Sequence, residues 1–168
     1  ILLIFDEVIT GFGRLGTPFA TDYFGVTPDL ITTAKGINSG VIPMGAVFCT
    51  SDIYNAFMTG PDHMIELFHG YTYSAHPIAC AAARANLAIW AEEDVAGRIS
   101  TLSGHIARQM DRLAHHPALE NARQCGTIAT IDLIGDQAGY MANVAPALRA
   151  FFLDAGLILR PLGNSIYV

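Results

Sequence analysis

Across 168 residues the chain is 52% hydrophobic and 14% charged, with a formal net charge of −6. A composition this apolar excludes a disordered chain, and a pI near 5.3 excludes nucleic-acid binding through a broadly basic surface. No apolar run reaches the roughly 20 residues of a membrane span.

The chain opens inside the apolar run Ile1–Phe5, which reads as a strand buried on both faces. Such a strand needs neighbours on both sides, so the expectation is a piece of a larger protein. A short helix is predicted over Pro18–Phe24, with proline in its first turn. Strands are predicted at Leu30–Ala34 and Gly45–Thr50, then a two-turn helix capped by Ser51 with Asp52 in its first turn. Strands separated by helical crossovers argue for a parallel sheet in an α/β unit.

A long, mostly apolar helix is expected from Pro77 to about Glu93, buried through Ile78, Leu87 and Ile89. Asp94 can cap a second helix, in which Ile99, Leu102, Ile106, Met110 and Leu113 recur at helical spacing. His115-His116-Pro117 ends it. Thr127–Ile134 reads as a strand, and an amphipathic helix lies within Tyr140–Ala155, with Pro146 in its first turn and Gly156 as its stop. Two short strands, Leu157–Leu159 and Ser165–Val168, close the chain. Residues 1–97 hold 3 positive and 10 negative charges, residues 98–168 hold 6 and 5. The shift places a domain boundary between 97 and 98.

Cysteine usage is bland. Cys49, Cys80 and Cys125 are odd in number and far apart, so neither a disulfide framework nor a CxxC metal site is offered. A reducing cytoplasm is the expected setting. No metal ligand set is apparent, and His63, His69, His105, His115 and His116 read as loop or surface histidines.

Three segments carry possible chemistry. Gly11-Phe12-Gly13-Arg14-Leu15-Gly16 satisfies GxGxxG, but five residues separate it from the strand and two of them are the acids Asp6 and Glu7. A dinucleotide fingerprint needs its first glycine at the strand end. A tight irregular loop is therefore the better reading. Asp6 and Lys35 form the second candidate. Lys35 is the chain's only lysine, against eight arginines, and both residues follow apolar strands at the carboxyl end of an open sheet, where ligands bind. A lysine partly removed from water offers a free amine to an aldehyde. A carboxylate opposite can keep a heterocyclic nitrogen protonated, as pyridoxal phosphate requires. An Asp6–Lys35 ion pair at the sheet edge explains the spacing equally well. The third candidate, Phe68–Pro77, is a glycine- and hydroxyl-bearing loop entering a helix, a setting that could bind phosphate.

Taken together the segments resemble a family. Leu3-Ile4-Phe5-Asp6-Glu7-Val8-Ile9-Thr10-Gly11-Phe12-Gly13-Arg14, Thr27-Pro28-Asp29-Leu30 running to Ala34-Lys35-Gly36, Pro43-Met44-Gly45-Ala46-Val47 and His69-Gly70-Tyr71-Thr72-Tyr73-Ser74-Ala75-His76-Pro77 are similar, in this order, to the class III (omega-amino-acid) aminotransferases. These are pyridoxal-phosphate enzymes of fold type I. The likeness covers nearly all of residues 1–94 and continues more loosely to Leu157–Asn164. It implies a cofactor-binding α/β large domain, mostly parallel sheet with helices, followed by the beginning of an α+β small domain.

The resemblance also implies roles. Lys35 would bind the cofactor covalently and move the substrate Cα proton, Asp6 would pair with the ring nitrogen, and Val8 would pack on a ring face. Thr72 and the backbone at Tyr71 would reach the cofactor phosphate of a second subunit. Active sites would thus be shared across a homodimer, alone or within a tetramer. Arg160 would bind a substrate carboxylate, for which its planar fork is suited. Glu7 and Arg14 are left as structural. The implied reaction moves an amino group from an omega-amino acid or amine to a keto acid such as pyruvate, with no nucleic-acid or membrane partner. Two family features have no counterpart here: the glycine–serine turn under the phosphate and the aromatic on the ring's other face. Ile37–Val41 is also poorer in glycine than the family's usual wording. The same Lys and Asp would serve a decarboxylase, aminomutase or epimerase. An inactive dimerisation module is the reading from another class.

Overall fold

A computed structural model describes residues 1–168 except His63, Ile65, Glu66, Phe68, Asp136, Gln137, Ala138 and Tyr140. The expectations for His63, for the loop's first residue Phe68 and for the helix boundary at Tyr140 lie outside the described residues. The chain separates into two compact units, Ile1–Ala96 and Gly97–Val168.

The first unit contains β1 (Ile4–Glu7), α1 (Ala20–Phe24), β2 (Leu30–Ala34), a 3₁₀ turn (Lys35–Asn38), β3 (Gly45–Cys49), α2 (Ser51–Phe57) and α3 (Pro77–Glu92). Its sheet order is β1-β2-β3. β1 and β2 run parallel, with Asp6 opposite Thr32 and Glu7 opposite Thr33. β3 departs from the parallel expectation and runs antiparallel to β2, with Gly45 opposite Ala34. The link over residues 35–44 holds only a 3₁₀ turn, too short for the crossover of a dozen or more residues that a parallel return requires.

β1 is shorter than Ile1–Phe5 and is not buried on both faces: Ile4 is 59% exposed. The reason is its position at the edge, where β2 is its one partner among the described residues.

The buried residues of this unit are Leu15, Ile37 and several alanines, with a few polar groups and one buried acid. Glu7 is 1% exposed, and its carboxylate accepts from Ala20 N at 2.7 Å, Thr21 N at 3.1 Å and Thr10 Oγ1 at 2.9 Å. A carboxylate at a helix start satisfies amides that have no partner inside the helix. Glu7 thus supplies the cap that Phe19 lacks. This is why α1 begins at Ala20 and Pro18 lies outside it. α2 begins at Ser51, but Thr50 holds the cap position and makes no capping bond through its side chain.

α3 differs from the buried helix expected. Ile78, Leu87 and Ile89 are exposed, and Ala79, Ala83 and Asn86 form its buried stripe. The spacing of four and three is that of one helix face.

The second unit contains most of α4 (Val95–Ala114), then β4 (Leu119–Cys125), β5 (Ile128–Leu133), α5 (Ala145–Asp154) and β6 (Ser165–Tyr167). The antiparallel sheet has the order β4-β5-β6. The predicted strand at Thr127–Ile134 begins at Ile128, after a turn in which Gly126 has φ +59°. β4 has no counterpart in the sequence reading, because its residues Leu-Glu-Asn-Ala-Arg-Gln-Cys show no apolar alternation. Cross-strand pairing holds it instead. Arg123 donates from Nη1 and Nη2 to the two oxygens of Asp132 at 3.0 and 3.2 Å, and Ser165 Oγ donates to Asp132 at 2.6 Å. Burial pushes the Asp132 carboxyl up. Hydrogen bonds from Ser165, Arg123 and Asn121, with the Arg123 charge, outweigh it and hold the group below its ordinary value.

Leu157–Leu159, expected as a strand, is not one. Leu157 N instead donates to Phe152 O at 2.7 Å, closing the end of α5, and the polypeptide reaches β6 through a Leu162–Ser165 bridge. Among the described residues no helix is long and apolar enough to cross a membrane.

Candidate active site

Two strand ends and one helix define the site in the first unit. Asp6 lies near the carboxyl end of β1, opposite Thr32 of β2, and Lys35 follows β2 directly. Three residues of strand rise about 10 Å and neighbouring strands lie about 4.8 Å apart, so the two residues flank one edge of the sheet. Asp6 is exposed, and its Oδ1 accepts from Val8 N at 3.1 Å, which orients the carboxylate. Val8 is half-buried at the same strand end.

Lys35 is exposed, and its amine has no hydrogen-bond or ion-pair partner among the described residues. The expected partial withdrawal from water is therefore not provided by the described residues around it. The ion pair that would have explained the spacing is not formed either. Lys35 has φ +44°, in the left-handed region that non-glycine residues seldom occupy.

The segment after Lys35 is held from two sides. A Cβ on Gly36 would stand 2.8 Å from Phe12 Cβ and 3.0 Å from Gly11 O, so glycine is required where the turns after β1 and β2 meet. The GxGxxG match is thus a packing turn, with no helix starting before Ala20. On the other side α3 packs on the 3₁₀ turn. Asn86 Nδ2 donates to Gly36 O at 3.0 Å and Ile37 O at 3.2 Å, while Ser39 Oγ donates to Asn86 Oδ1 at 2.8 Å. The sequence reading missed Asn86. Its signal was an asparagine, a poor helix former, inside an alanine-rich helix.

The Tyr71–His76 loop forms a tight turn. Tyr71 N donates to Ser74 Oγ at 3.1 Å, Ser74 N donates to Tyr71 O at 2.9 Å, and His76 Nδ1 caps α3 by accepting from Ala79 N. Tyr71, Tyr73 and His76 line a cleft of about 270 Å³ with Pro43, Met44 and Gly45. Gly45 is the strand partner of Ala34, so the loop stands beside the strand end that carries Lys35. Thr72 is exposed and does not line that cleft. Arg160 belongs to the second unit, where it is exposed and lines a groove of about 670 Å³ with Arg149. The structure places Asp6 and Lys35 at the carboxyl ends of neighbouring parallel strands, with Val8 just beyond β1. His69, His105, His115 and His116 are exposed, and no cluster of metal-ligating side chains occurs among the described residues.

Residues 1–168 match the family described as "Aminotransferase class-III". An omega-aminotransferase of Caulobacter vibrioides is 48% identical over 166 residues, covering 99% of this chain and 38% of that protein. A beta-alanine–pyruvate aminotransferase of Pseudomonas aeruginosa is 47% identical over 135 residues, 79% of this chain and 30% of that protein. The crystal structure of an amine transaminase from an uncultivated Pseudomonas species, in a PLP-bound form, matches 100% of this chain and 39% of its own, at 36% identity and a TM-score of 0.87. The chain therefore spans well under half the length of these relatives.

Proposed function

Because this chain belongs to the class-III aminotransferases, whose cofactor is pyridoxal 5′-phosphate, we propose that the protein carrying it is a transaminase. It moves an amino group from an omega-amino acid or amine to a keto acid such as pyruvate, in a ping-pong sequence. The observation that carries this reading is an exposed amine at Lys35, without a partner among the described residues, just past one strand end, and a carboxylate at Asp6 oriented by Val8 N near the same end of the neighbouring parallel strand.

That donor set fits the cofactor. Bound there, pyridoxal phosphate supplies an aldehyde and a protonated ring that withdraws electrons from the substrate. Lys35 Nζ binds the cofactor and moves the proton at the substrate Cα. Asp6 holds the proton on the ring nitrogen, and Val8 packs against the ring. Thr72 binds the cofactor phosphate of a second copy in a homodimer, and the Tyr71 N–H joins it by exchanging its bond to Ser74 Oγ for the phosphate. The support is their exposure in this chain and the absence of Thr72 from the adjoining cleft. The three cysteines are free, in keeping with a cytoplasmic enzyme. Borohydride reduction of the complete, cofactor-loaded protein is expected to fix the cofactor on the peptide containing Ala34-Lys35-Gly36. Label on any other peptide overturns the reading.

Arg160 anchors the substrate carboxylate in the groove it lines with Arg149. An arginine fork meets a carboxylate through two parallel hydrogen bonds. Truncating one partner of a desolvated charge pair costs ~2–5 kcal/mol, and each ~1.4 kcal/mol is a factor of ten. Arg160→Ala is thus expected to lower kcat/KM for pyruvate by ~30-fold or more, at the lower end of that range. The half-reaction with an amine that lacks a carboxylate should hardly change. Equal losses in both half-reactions would show that Arg160 supports the fold instead.

A further inference from the structure

The geometry points to Asn86 as the positioning residue that sets the backbone of Lys35 for cofactor attachment, an assignment that rests on the proposed role of Lys35. Lys35 and Ser39 both have positive φ, +44° and +55°, at the two ends of the segment that contains the 3₁₀ turn. A left-handed non-glycine residue is strained and persists only where its surroundings over-determine it. A single 3₁₀ turn cannot do this alone, because its hydrogen bonds are few and poorly aligned.

Asn86 supplies the missing constraint from outside the segment. It is 8% exposed, and both ends of its amide are engaged: two donated bonds to the carbonyls of Gly36 and Ile37, one accepted from Ser39 Oγ. Only a group that is donor and acceptor at once can make this set. Aspartate would lack the donors and leucine would lack both. On the opposite side Gly36 is closed in by Phe12. The carbonyl next to Lys35 is therefore clamped, while the amine itself has no partner among the described residues. The Lys35 carbonyl accepts from Gly40 N at 2.9 Å, and Asn86 fixes the two carbonyls that follow it, so the backbone from which the Lys35 side chain departs is set from both. An unclamped Lys35 would relax toward negative φ, which changes the direction of its Cβ.

The test uses the complete protein loaded with pyridoxal phosphate, with Asn86→Leu and Ser39→Ala as variants. Ala85→Gly on the exposed side of α3 serves as a control, since it weakens the same helix without touching the clamp. Asn86→Leu is expected to lower kcat ~10-fold or more with KM changed less than ~2-fold, as for a group whose effect is felt in the transition state. The fraction of bound cofactor that borohydride fixes on the Lys35 peptide should fall at least about twofold, and the pH midpoint of the cofactor's visible absorbance should move. Ser39→Ala should shift both readouts the same way by less. Ala85→Gly should leave them at the wild-type values. If the fixed fraction and the pH midpoint of Asn86→Leu match those of Ala85→Gly, Asn86 only stabilises the helix and the assignment falls. A wild-type protein labelled away from Lys35 overturns the functional reading as well. Wild-type labelling at Lys35 with an unchanged variant overturns the Asn86 assignment alone.

Discussion

Lys35→Ala in the complete protein is expected to lower transamination on the order of 10⁴-fold, the upper range for a positioned acid–base group, while leaving the fold intact. The structure separates these two effects. Lys35 is exposed and its amine has no partner among the described residues, so its removal breaks no interaction that stabilises the unit. Surface substitutions of that kind stay within about 0.5 kcal/mol. Alanine also keeps a Cβ at φ +44°, so the backbone strain is the same before and after. Thermal unfolding and steady-state kinetics on the same preparation check both halves of the expectation. The cofactor should remain bound in part, through contacts other than the amine, and should dialyse away more readily. A variant that keeps a tenth of the wild-type rate would remove Lys35 from the chemistry.

Asp6→Asn is expected to slow the half-reaction with the amine donor by ~100-fold or more, the loss typical of removing one preorganised electrostatic contact to developing charge. The substitution tests charge apart from shape. Asp6 Oδ1 accepts from Val8 N at 3.1 Å, and an asparagine oxygen accepts the same bond, so the turn at the end of β1 survives. The lost negative charge no longer favours a protonated ring nitrogen. That deficit is felt more in the transition state than in the ground state. Cofactor affinity should therefore change far less than the rate. Single-turnover absorbance measurements read the rate directly, and an unchanged half-reaction would refute the role. A substitution at Glu7, one residue on, would not report on chemistry: its carboxylate is spent on the amides that open α1.

The positions of the candidate residues were legible because their signals are local. An apolar run ending in an acid, a second run ending in the only lysine, and a glycine after that lysine place Asp6, Lys35 and Gly36 at strand ends without knowledge of any contact. The rejection of the GxGxxG match was local too, since the distance from the strand to Gly11 can be counted. Element types followed where the apolar period was strong, as in α4, or where a long alanine-rich run left little alternative to a helix, as in α3. They failed where pairing, not pattern, makes the element. β4 is polar and is a strand because Arg123 and its neighbours find Asp132 and β5. Leu157–Leu159 is apolar and is not a strand because no neighbour presents an edge to it among the described residues.

By itself the sequence determined which residues stand at the sheet edge, that one amine is on offer, and that the chain alternates strands and helices before a differently charged second part. These depend on side-chain type and short-range spacing, which the linear order carries whole. Only the tertiary structure decided that β3 turns back antiparallel, that Glu7 caps a helix thirteen residues away, that α3 buries alanines and leaves Ile78 and Leu87 exposed, and that Asn86 grips the carbonyls beside Lys35. Each of these is a contact between residues far apart in the chain. The free energy of such a contact depends on which surfaces meet, and the closeness of Gly36 to Phe12 or of Asn86 to Ile37 exists only once the strands and helix have packed.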